Sequence, residues 1–289
     1  MTELDPTSVL VSAQQLRDGL GSVRLVDVRP ESAFRAGHIA GALRADLERD
    51  LSADASDPSR GGRHPLPVLD DFALWLGRIG IGAQTPVVVY DAESGASGAS
   101  RLWWMLRAVG HERVWLLDGG LQAARVAGLP MAEGESSAPP ADCAPYPVRP
   151  WRLPVASIEE VERRALDPDW LVLDARAPER FAGLLEPIDP VAGHVPGARN
   201  LFHRTLLDDD GAFLPVERLR ALWQAALGGR APQRVIVGCG SGVTACQLLV
   251  GMERCGLKGA ALWVGSWSQW CRSGRPVATG AAAAPVAAG

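Results

Sequence analysis

The stretch VIVGCGSGVTACQLLVGMERCG, residues 235–256, contains the pattern that best predicts the fold of this chain. Its first four residues form an apolar run typical of a buried strand, and residues 245–256 place apolar side chains at helical spacing and end at glycine. A glycine-containing loop joins the two, and Cys239 stands directly after the strand. A strand that passes through a short loop into a helix is the unit of parallel α/β folds, in which ligands bind beyond the carboxyl ends of the strands.

The first half of the chain carries an earlier copy of this pattern. VVVYD at 87–91 matches VIVGC at 235–239, an offset of 148 residues. Three further matches keep the same order, with offsets of 147, 156 and 146: LVDVR (25–29) with VLDAR (172–176), GHIAGA (37–42) with GHVPGA (193–198), and LLDGG (116–120) with LWVGS (262–266). Ordered matches near one offset indicate a duplicated domain.

The duplication predicts an α/β protein of two tandem domains, each a parallel β-sheet flanked by helices. The expected N-terminal domain covers residues 1–132 and the expected C-terminal domain covers residues 151–280. Residues 133–150 are rich in proline, serine and alanine, which is typical of a linker. The low-complexity stretch at residues 281–289 is expected to be a flexible tail.

Composition excludes several classes of protein. The net charge of −4 over 289 residues favours neither nucleic acid nor an anionic membrane as a partner. No apolar run approaches the roughly 18 residues of a membrane span, and the N-terminus lacks the pattern of a secretory signal. Five cysteines are too few for a disulfide scaffold, and their odd number leaves a free thiol. We therefore expect a cytoplasmic protein.

The loop after the strand at 235–238 has the features of a reactive cysteine site. Gly240 and Gly242 allow the backbone to curl, so that successive N–H groups can point at the sulfur of Cys239. The following helix adds its positive N-terminal end. Both features stabilise a thiolate, which is the nucleophilic form of cysteine. The alternative is that Cys239 is a small buried core residue.

The loop Cys-Gly-Ser-Gly-Val-Thr resembles the active-site loop of the rhodanese superfamily of sulfurtransferases. The Asp-x-Arg, Gly-His-x-x-Gly-Ala and Gly-Ser-Trp-x-x-Trp motifs extend the resemblance over nearly the whole chain. The loop is more similar to the 3-mercaptopyruvate form than to the thiosulfate form, which typically places two cationic residues after the cysteine. Here Gly240 and Ser241 occupy those places.

The resemblance implies two rhodanese-like domains, of which only the C-terminal one is catalytic. Asp91 stands at the N-terminal position that matches Cys239, and an aspartate cannot carry a persulfide. In the catalytic domain the resemblance implies that the donor lies against the active-site loop, at the four residues Gly240, Gly242, Val243 and Thr244.

The resemblance also implies an arginine that holds the anionic group of the sulfur donor. Arg180, in DARAPERF, matches it, and a planar guanidinium suits a carboxylate. Related enzymes for 3-mercaptopyruvate often supply a second arginine shortly afterwards, where this chain has Asp189. Either Arg199 or Arg204 takes over that function, or the preferred donor differs.

A proton relay is implied as well. Ser241 matches a serine that acts with a histidine and an aspartate of the first domain. His64, in HPLP, and Asp46, in GALRADL, match those two residues, although the gap between them is longer than in the family. Such a relay would protonate the leaving group or polarise the donor.

The function expected from these residues is sulfur transfer by covalent catalysis. Cys239 would take sulfane sulfur from a small anionic donor, with 3-mercaptopyruvate favoured and thiosulfate as the alternative. The persulfide would then pass its sulfur to a thiol, to a thioredoxin-like protein or to cyanide. We expect no metal and no cofactor, because no cluster of cysteine and histidine has ligand spacing.

Two other classes of function remain open on the sequence. A cysteine-dependent phosphatase also places its nucleophile between a strand and a helix, but it needs an arginine that closes the loop, and residues 240–250 contain none. A sulfur-relay or binding module without turnover would also be compatible with the motifs.

Overall fold

The computed structural model describes residues 4–92, 94–136, 144–147 and 150–280. Half of the expected linker, residues 137–143 and 148–149, lies outside the described residues. The expected flexible tail at 281–289 lies outside them entirely.

The N-terminal half is built on a five-stranded parallel sheet with the strand order β1-β6-β5-β2-β4. A small antiparallel pair, β3 with β7, lies apart from this sheet. The central strand β5 consists entirely of buried residues, three of them valines, which is typical of a parallel sheet covered on both faces. The strands are β1 (Leu10–Val11), β2 (Arg24–Asp27), β3 (His38–Ile39), β4 (Leu43–Arg44), β5 (Val87–Tyr90), β6 (Val114–Leu117) and β7 (Met131–Ala132).

Five α-helices lie within the described residues of this half. The first begins at a capping box, in which the Ser12 side chain accepts from the Gln15 amide while the Gln15 side chain bonds back to the Ser12 amide. The helices are α1 (Ala13–Gly19), α2 (Glu31–Arg35), α3 (Leu69–Arg78), α4 (Ala99–Ala108) and α5 (Gly120–Val126).

The C-terminal half repeats the design with a four-stranded parallel sheet, order β11-β10-β8-β9. Its strands are β8 (Leu171–Asp174), β9 (Arg199–Asn200), β10 (Val235–Gly238) and β11 (Ala261–Leu262). Its helices are α6 (Ile158–Arg164), α7 (Pro178–Phe181), α8 (Val216–Leu227), α9 (Ala245–Arg254) and α10 (Ser266–Trp270). The α/β fold with one parallel sheet in each half is therefore confirmed.

The Asp-x-Arg motifs tie the same two loops together in each half. Arg29 forms an ion pair with Asp27 and donates to the Gly37 carbonyl at 2.7 Å. In the second half Arg176 pairs with Asp174 and donates to the Gly193 carbonyl, again at 2.7 Å. These buried charge-assisted hydrogen bonds hold the Gly-His loops against the strand ends, so the motif serves the fold.

The two halves share one continuous hydrophobic core. Helix α4 of the first half packs against α9 of the second, and a single cluster of buried side chains contains residues from both sheets. Since α9 begins directly after the Cys239 loop, this packing brings the loop of one half against the other half.

Candidate active site

Cys239 lies at the end of β10, at the centre of a curled loop. Its Sγ accepts hydrogen bonds from the backbone amides of Ser241 at 3.4 Å and Gly242 at 3.1 Å. Gly242 has φ +73°, and a Cβ there would lie 2.4 Å from the Val264 carbonyl oxygen. The loop therefore needs glycine at this position, and its two amides stabilise negative charge on the sulfur.

The start of α10 holds the loop from behind. The Cys239 amide donates to Ser266 Oγ at 3.0 Å, and the Cys239 carbonyl accepts from the Trp267 amide at 3.0 Å. The Gly240 carbonyl accepts from the Ser268 amide at 2.9 Å. Ser266 itself adopts φ +52°, which is unusual for a residue other than glycine. These hydrogen bonds fix the loop through its backbone atoms. The sulfur of Cys239 takes no part in them and accepts from the Ser241 and Gly242 amides instead.

The matching loop of the first half is filled by a carboxylate. Asp91 accepts from the amides of Gly95 at 2.8 Å, Ser97 at 2.9 Å and Ala99 at 3.1 Å. A buried carboxylate that is satisfied in this way completes the loop internally. It offers no nucleophile for sulfur.

A hydrogen-bonded chain of three side chains stands beside the cysteine loop. Nδ1 of His64 lies 2.7 Å from Ser241 Oγ, and its Nε2 lies 2.8 Å from Glu48 Oε1. Because an ionised Glu48 can only accept, Nε2 carries the hydrogen and Nδ1 accepts from the serine hydroxyl. Burial lowers the pKa of His64 below its usual value, although the Glu48 carboxylate opposes that shift. The imidazole is therefore neutral at neutral pH.

The structure corrects the expected place of Asp46 in this chain. Asp46 forms an ion pair with Arg44 at 2.5 Å and accepts from the amides of Glu48 and Arg49. In the described structure His64 is bonded to Glu48 instead of Asp46. Asp46 lies two residues before the carboxylate that contacts His64, and it caps the turn that presents Glu48 to the histidine.

Arg180 lies beside Gly240 of the cysteine loop, and a second arginine, Arg63, lies beside it as well. The Nε and Nη2 atoms of Arg180 bond to the Glu186 carboxylate at 3.2 and 2.6 Å. Its Nη1 faces Gly240, and so does Nη2 of Arg63. Arg63 comes from the first half and forms an ion pair with Asp189. Two guanidinium groups from different halves therefore converge on the loop.

Arg199 and Arg204, the two arginines suggested as substitutes for the missing cation, do not line the cavity of about 610 Å³ that borders the cysteine loop. Arg199 lies in β9, and Arg204 belongs to a short 3-10 helix. Arg63 was missed because sequence reasoning sought the second arginine after Arg180 in the same half. Its position next to His64, in GGRHPLP, was the one available signal.

A second arginine of the first half, Arg101 in α4, is fully buried beneath the loop. It donates to the His64 carbonyl at 3.0 Å and to the Gly242 carbonyl at 3.3 Å. Burial lowers its pKa, while negative charge on Cys246 or Cys239 would oppose that shift. Cys246 is not negatively charged at neutral pH, because burial raises the pKa of its thiol to about 12.

These groups surround a cavity of about 610 Å³ between the halves. Cys239, only 2% exposed, is not among the lining residues, but the next two residues of its loop are. The cavity is lined by Leu47, Glu48, Ala55, Pro58, Arg63, His64, Ala96, Ser97, Arg180, Ile188, Gly240, Ser241, Val243 and Thr244. Of the expected binding residues, Gly242 turns its amide to the sulfur, whereas Arg180, Gly240, Val243 and Thr244 face the cavity.

Within the described ranges, no group of three or more histidine, cysteine or acidic side chains is placed to hold a metal ion. Across the same ranges, no helix has both the length and the apolar character to cross a membrane.

The chain matches the family model "Rhodanese-like domain" twice, at residues 12–126 and 157–273. It is 44% identical over 249 residues to the Pseudomonas aeruginosa protein named "Probable 3-mercaptopyruvate sulfurtransferase", with 86% of each chain covered. It is 38% identical over 288 residues to the Mycobacterium tuberculosis protein named "Putative thiosulfate sulfurtransferase SseB", with 95% of this chain and 98% of that one covered.

Among solved structures, the 3-mercaptopyruvate sulfurtransferase from Leishmania major superposes with a TM-score of 0.83 at 32% identity. The match covers 95% of this chain and 77% of that one. The duplicated sheets, the cysteine loop and these similarities agree with one another. The chain therefore belongs to the rhodanese family, contains two rhodanese-like domains in tandem, and is a sulfurtransferase.

Proposed function

We propose that this sulfurtransferase takes sulfane sulfur from 3-mercaptopyruvate onto Cys239 as a persulfide and passes it to a thiol acceptor. The observation that carries the proposal is the convergence of the Ser241 and Gly242 amides on Cys239 Sγ. Those donors stabilise the attacking thiolate before transfer and the persulfide anion after it.

In the first half-reaction the Cys239 thiolate bonds to the sulfur of the donor. The carbon–sulfur bond breaks, and its electron pair stays on carbon as the enolate of pyruvate. One proton, lost by the Cys239 thiol when the thiolate forms, is returned to that carbon. Pyruvate then leaves, and Cys239 keeps an S–SH group.

The side chains of Ser241, His64 and Glu48 are suited to move that proton. Neutral His64 accepts from the serine hydroxyl at Nδ1, and the carboxylate at Nε2 stabilises the imidazolium that forms when a proton arrives. The relay holds the proton while the thiolate attacks and releases it to the enolate.

The anionic end of the donor is assigned to Arg180, because this guanidinium faces the loop from the cavity wall. Gly240, Val243 and Thr244 form the floor on which the donor rests. The amide of Gly242 remains directed at the reacting sulfur.

In the second half-reaction a nucleophile attacks the outer sulfur and Cys239 leaves as the thiolate. A small thiol or a thioredoxin-like protein would carry the sulfur onward, and cyanide would be converted to thiocyanate. Cys239, Cys246, Cys255 and Cys271 are free thiols, which supports a reducing compartment and therefore a cytoplasmic location.

We assign catalysis to the C-terminal domain, residues 151–280, and a supporting role to the N-terminal domain, residues 1–132. The carboxylate of Asp91 already fills the matching loop of the first domain. That domain contributes His64 and Glu48 to the site of the second. Residues 133–150 would then be the linker.

Thiosulfate is the second candidate donor, because the Mycobacterium tuberculosis relative carries that activity in its name. It would give the same persulfide, with sulfite as the leaving group. Rates with both donors at matched concentrations decide between them, and a higher kcat/KM for thiosulfate would overturn the assignment of 3-mercaptopyruvate.

The test of the nucleophile is Cys239→Ser. We expect loss of sulfur transfer from both donors, and loss of the mass increase of one sulfur atom that the intact protein should show after incubation with donor alone. Cys255→Ser is the matched control, since this partly exposed thiol follows α9. Unchanged transfer by Cys239→Ser would overturn the proposal.

A further inference from the structure

Asp189 is a buried carboxylate surrounded by three arginines. Its Oδ1 forms ion pairs with Arg63 and with Arg272, the latter at 2.8 Å. Its Oδ2 lies 3.6 Å from Nη2 of Arg180 and has no hydrogen-bond partner within the described structure. Because its side chain is fully buried, Asp189 cannot serve solvent or substrate directly. Its available role is to hold the guanidinium groups in place.

Arg63 is fixed where it can reach the donor. Its backbone amide donates to Ser268 Oγ at 3.0 Å, which ties this segment of the first domain to the second. Its Nη1 is taken by Asp189. Its Nη2 lies 3.4 Å from the point where a side chain on Gly240 would begin.

Arg180 is arranged in a complementary way. Glu186 occupies its Nε and Nη2, which leaves Nη1 directed at the same loop. That nitrogen lies 3.6 Å from the same point at Gly240. One anionic group seated over Gly240 could therefore accept from both arginines at once, one from each domain.

The charges around this point are nearly balanced. The connected ion-pair network contains four arginines and three carboxylates, which leaves a formal charge of +1: Arg63, Arg176, Arg180, Arg272, Asp174, Glu186 and Asp189. The Cys239 thiolate beside this network offsets that charge, so a dianion such as thiosulfate adds one more uncompensated negative charge than a single carboxylate does. Buried charge without a partner is costly, so the balance favours a donor with one negative charge.

We propose that Arg63 is the second cation that binds the donor, that Asp189 is its positioning residue, and that together they select singly charged donors. This proposal rests on the proposed function, since it concerns the donor of that reaction. It assigns the missing cation to the non-catalytic domain, so that the donor bridges the two domains.

The first test is Arg63→Met, assayed with both donors at physiological ionic strength. We expect the KM for 3-mercaptopyruvate to rise by about 10- to 100-fold while kcat changes by less than about threefold, because the variant loses binding that is equal in the ground state and the transition state. Arg60→Met is the matched control. It removes the same charge from an exposed residue that does not line the cavity, and its KM should stay within about twofold.

The second test is Asp189→Asn, which raises the formal charge of the network to +2. We expect the ratio of kcat/KM for thiosulfate to that for 3-mercaptopyruvate to increase about tenfold, because the dianion gains more than the monoanion. An unchanged or lower ratio would overturn the selection of singly charged donors.

Thermal unfolding checks that each variant is folded. If Arg63→Met fails to fold, Arg63→Lys replaces it, and loss of the planar fork should still raise the KM severalfold. The proposal is overturned if the folded Arg63 variant keeps wild-type KM values for both donors while its turnover still depends on Cys239. The proposed function would then remain intact. Failure of the unsubstituted protein to use either donor would instead overturn the proposed function.

Discussion

At positions 239 and 91, two corresponding loops are completed by different side chains. The sulfur of Cys239 accepts hydrogen bonds from two amides, whereas the carboxylate of Asp91 accepts from three and closes its own loop. One side chain therefore distinguishes a loop that holds a thiol from a loop that holds a carboxylate. Ser241 is a second difference between the two loops, because its hydroxyl is hydrogen-bonded to His64.

Replacing Ser241 by alanine should affect the two donors unequally. The enolate of pyruvate must be protonated, whereas sulfite leaves thiosulfate without needing a proton. We expect kcat with 3-mercaptopyruvate to fall by about 10²-fold, near the lower end of what general acid–base catalysis contributes, and kcat with thiosulfate to fall by much less. Steady-state kinetics with both donors measure the difference. Equal losses would show that Ser241 serves only the shape of the loop.

At the scale of elements, the loop between β10 and α9 depends on the close approach of two backbone segments. Gly242 lies against the Val264 backbone, and α10 holds the other side of the loop through the carbonyls of Cys239 and Gly240. The Val264 backbone and the start of α10 thus fix the amides that face the sulfur. Geometry of this kind cannot adapt to an added methyl group without moving the amides.

Gly242→Ala tests this dependence. The added Cβ meets a carbonyl oxygen, so the Gly242 amide must move away from Cys239 Sγ and sulfur transfer should be nearly lost. Gly256→Ala is the control, because this glycine also has a positive φ, +79°, but nothing lies within 4 Å of its Cβ position.

The control should lose about 1 kcal/mol of unfolding free energy from backbone strain and keep its activity. Thermal unfolding and steady-state assays compare the two variants. If both retain activity equally, the loop amides do not determine the reactivity of Cys239.

At the scale of the whole molecule, the active site is assembled only when the two domains pack together. Arg101 of α4 reaches across the interface to the Gly242 carbonyl and also holds the His64 carbonyl. Arg107 of the same helix forms an ion pair with Glu253 at 3.0 Å, and both of these side chains are partly exposed. The two arginines connect the same domains, but only Arg101 touches the catalytic loop.

Arg101→Met should therefore be more damaging than Arg107→Met. The first removes the guanidinium donor from the His64 and Gly242 carbonyls, and Gly242 keeps only the weak thiol donor of Cys246. We expect a loss of about 1–3 kcal/mol in unfolding free energy together with a fall in kcat of at least about tenfold. The second removes a partly exposed ion pair and should cost at most about 1 kcal/mol, with activity retained. Urea unfolding and steady-state kinetics provide the comparison. Similar effects of both changes would mean that Arg101 acts only as a general interface contact.

The amino-acid sequence by itself determined the duplicated α/β fold and the position of Cys239, because strands, helices and the glycine loop are encoded by local patterns that recur in both copies. The contacts between side chains of the two domains depend on the tertiary structure. Ser241 meets His64 across 177 residues of chain, and Asp189 meets Arg63 across 126. No periodicity encodes such contacts, so neither the contact of His64 with Glu48 nor the approach of Arg63 to Gly240 could be predicted from the sequence. The physical reason is that side-chain direction at a domain interface depends on the docking of two folded surfaces.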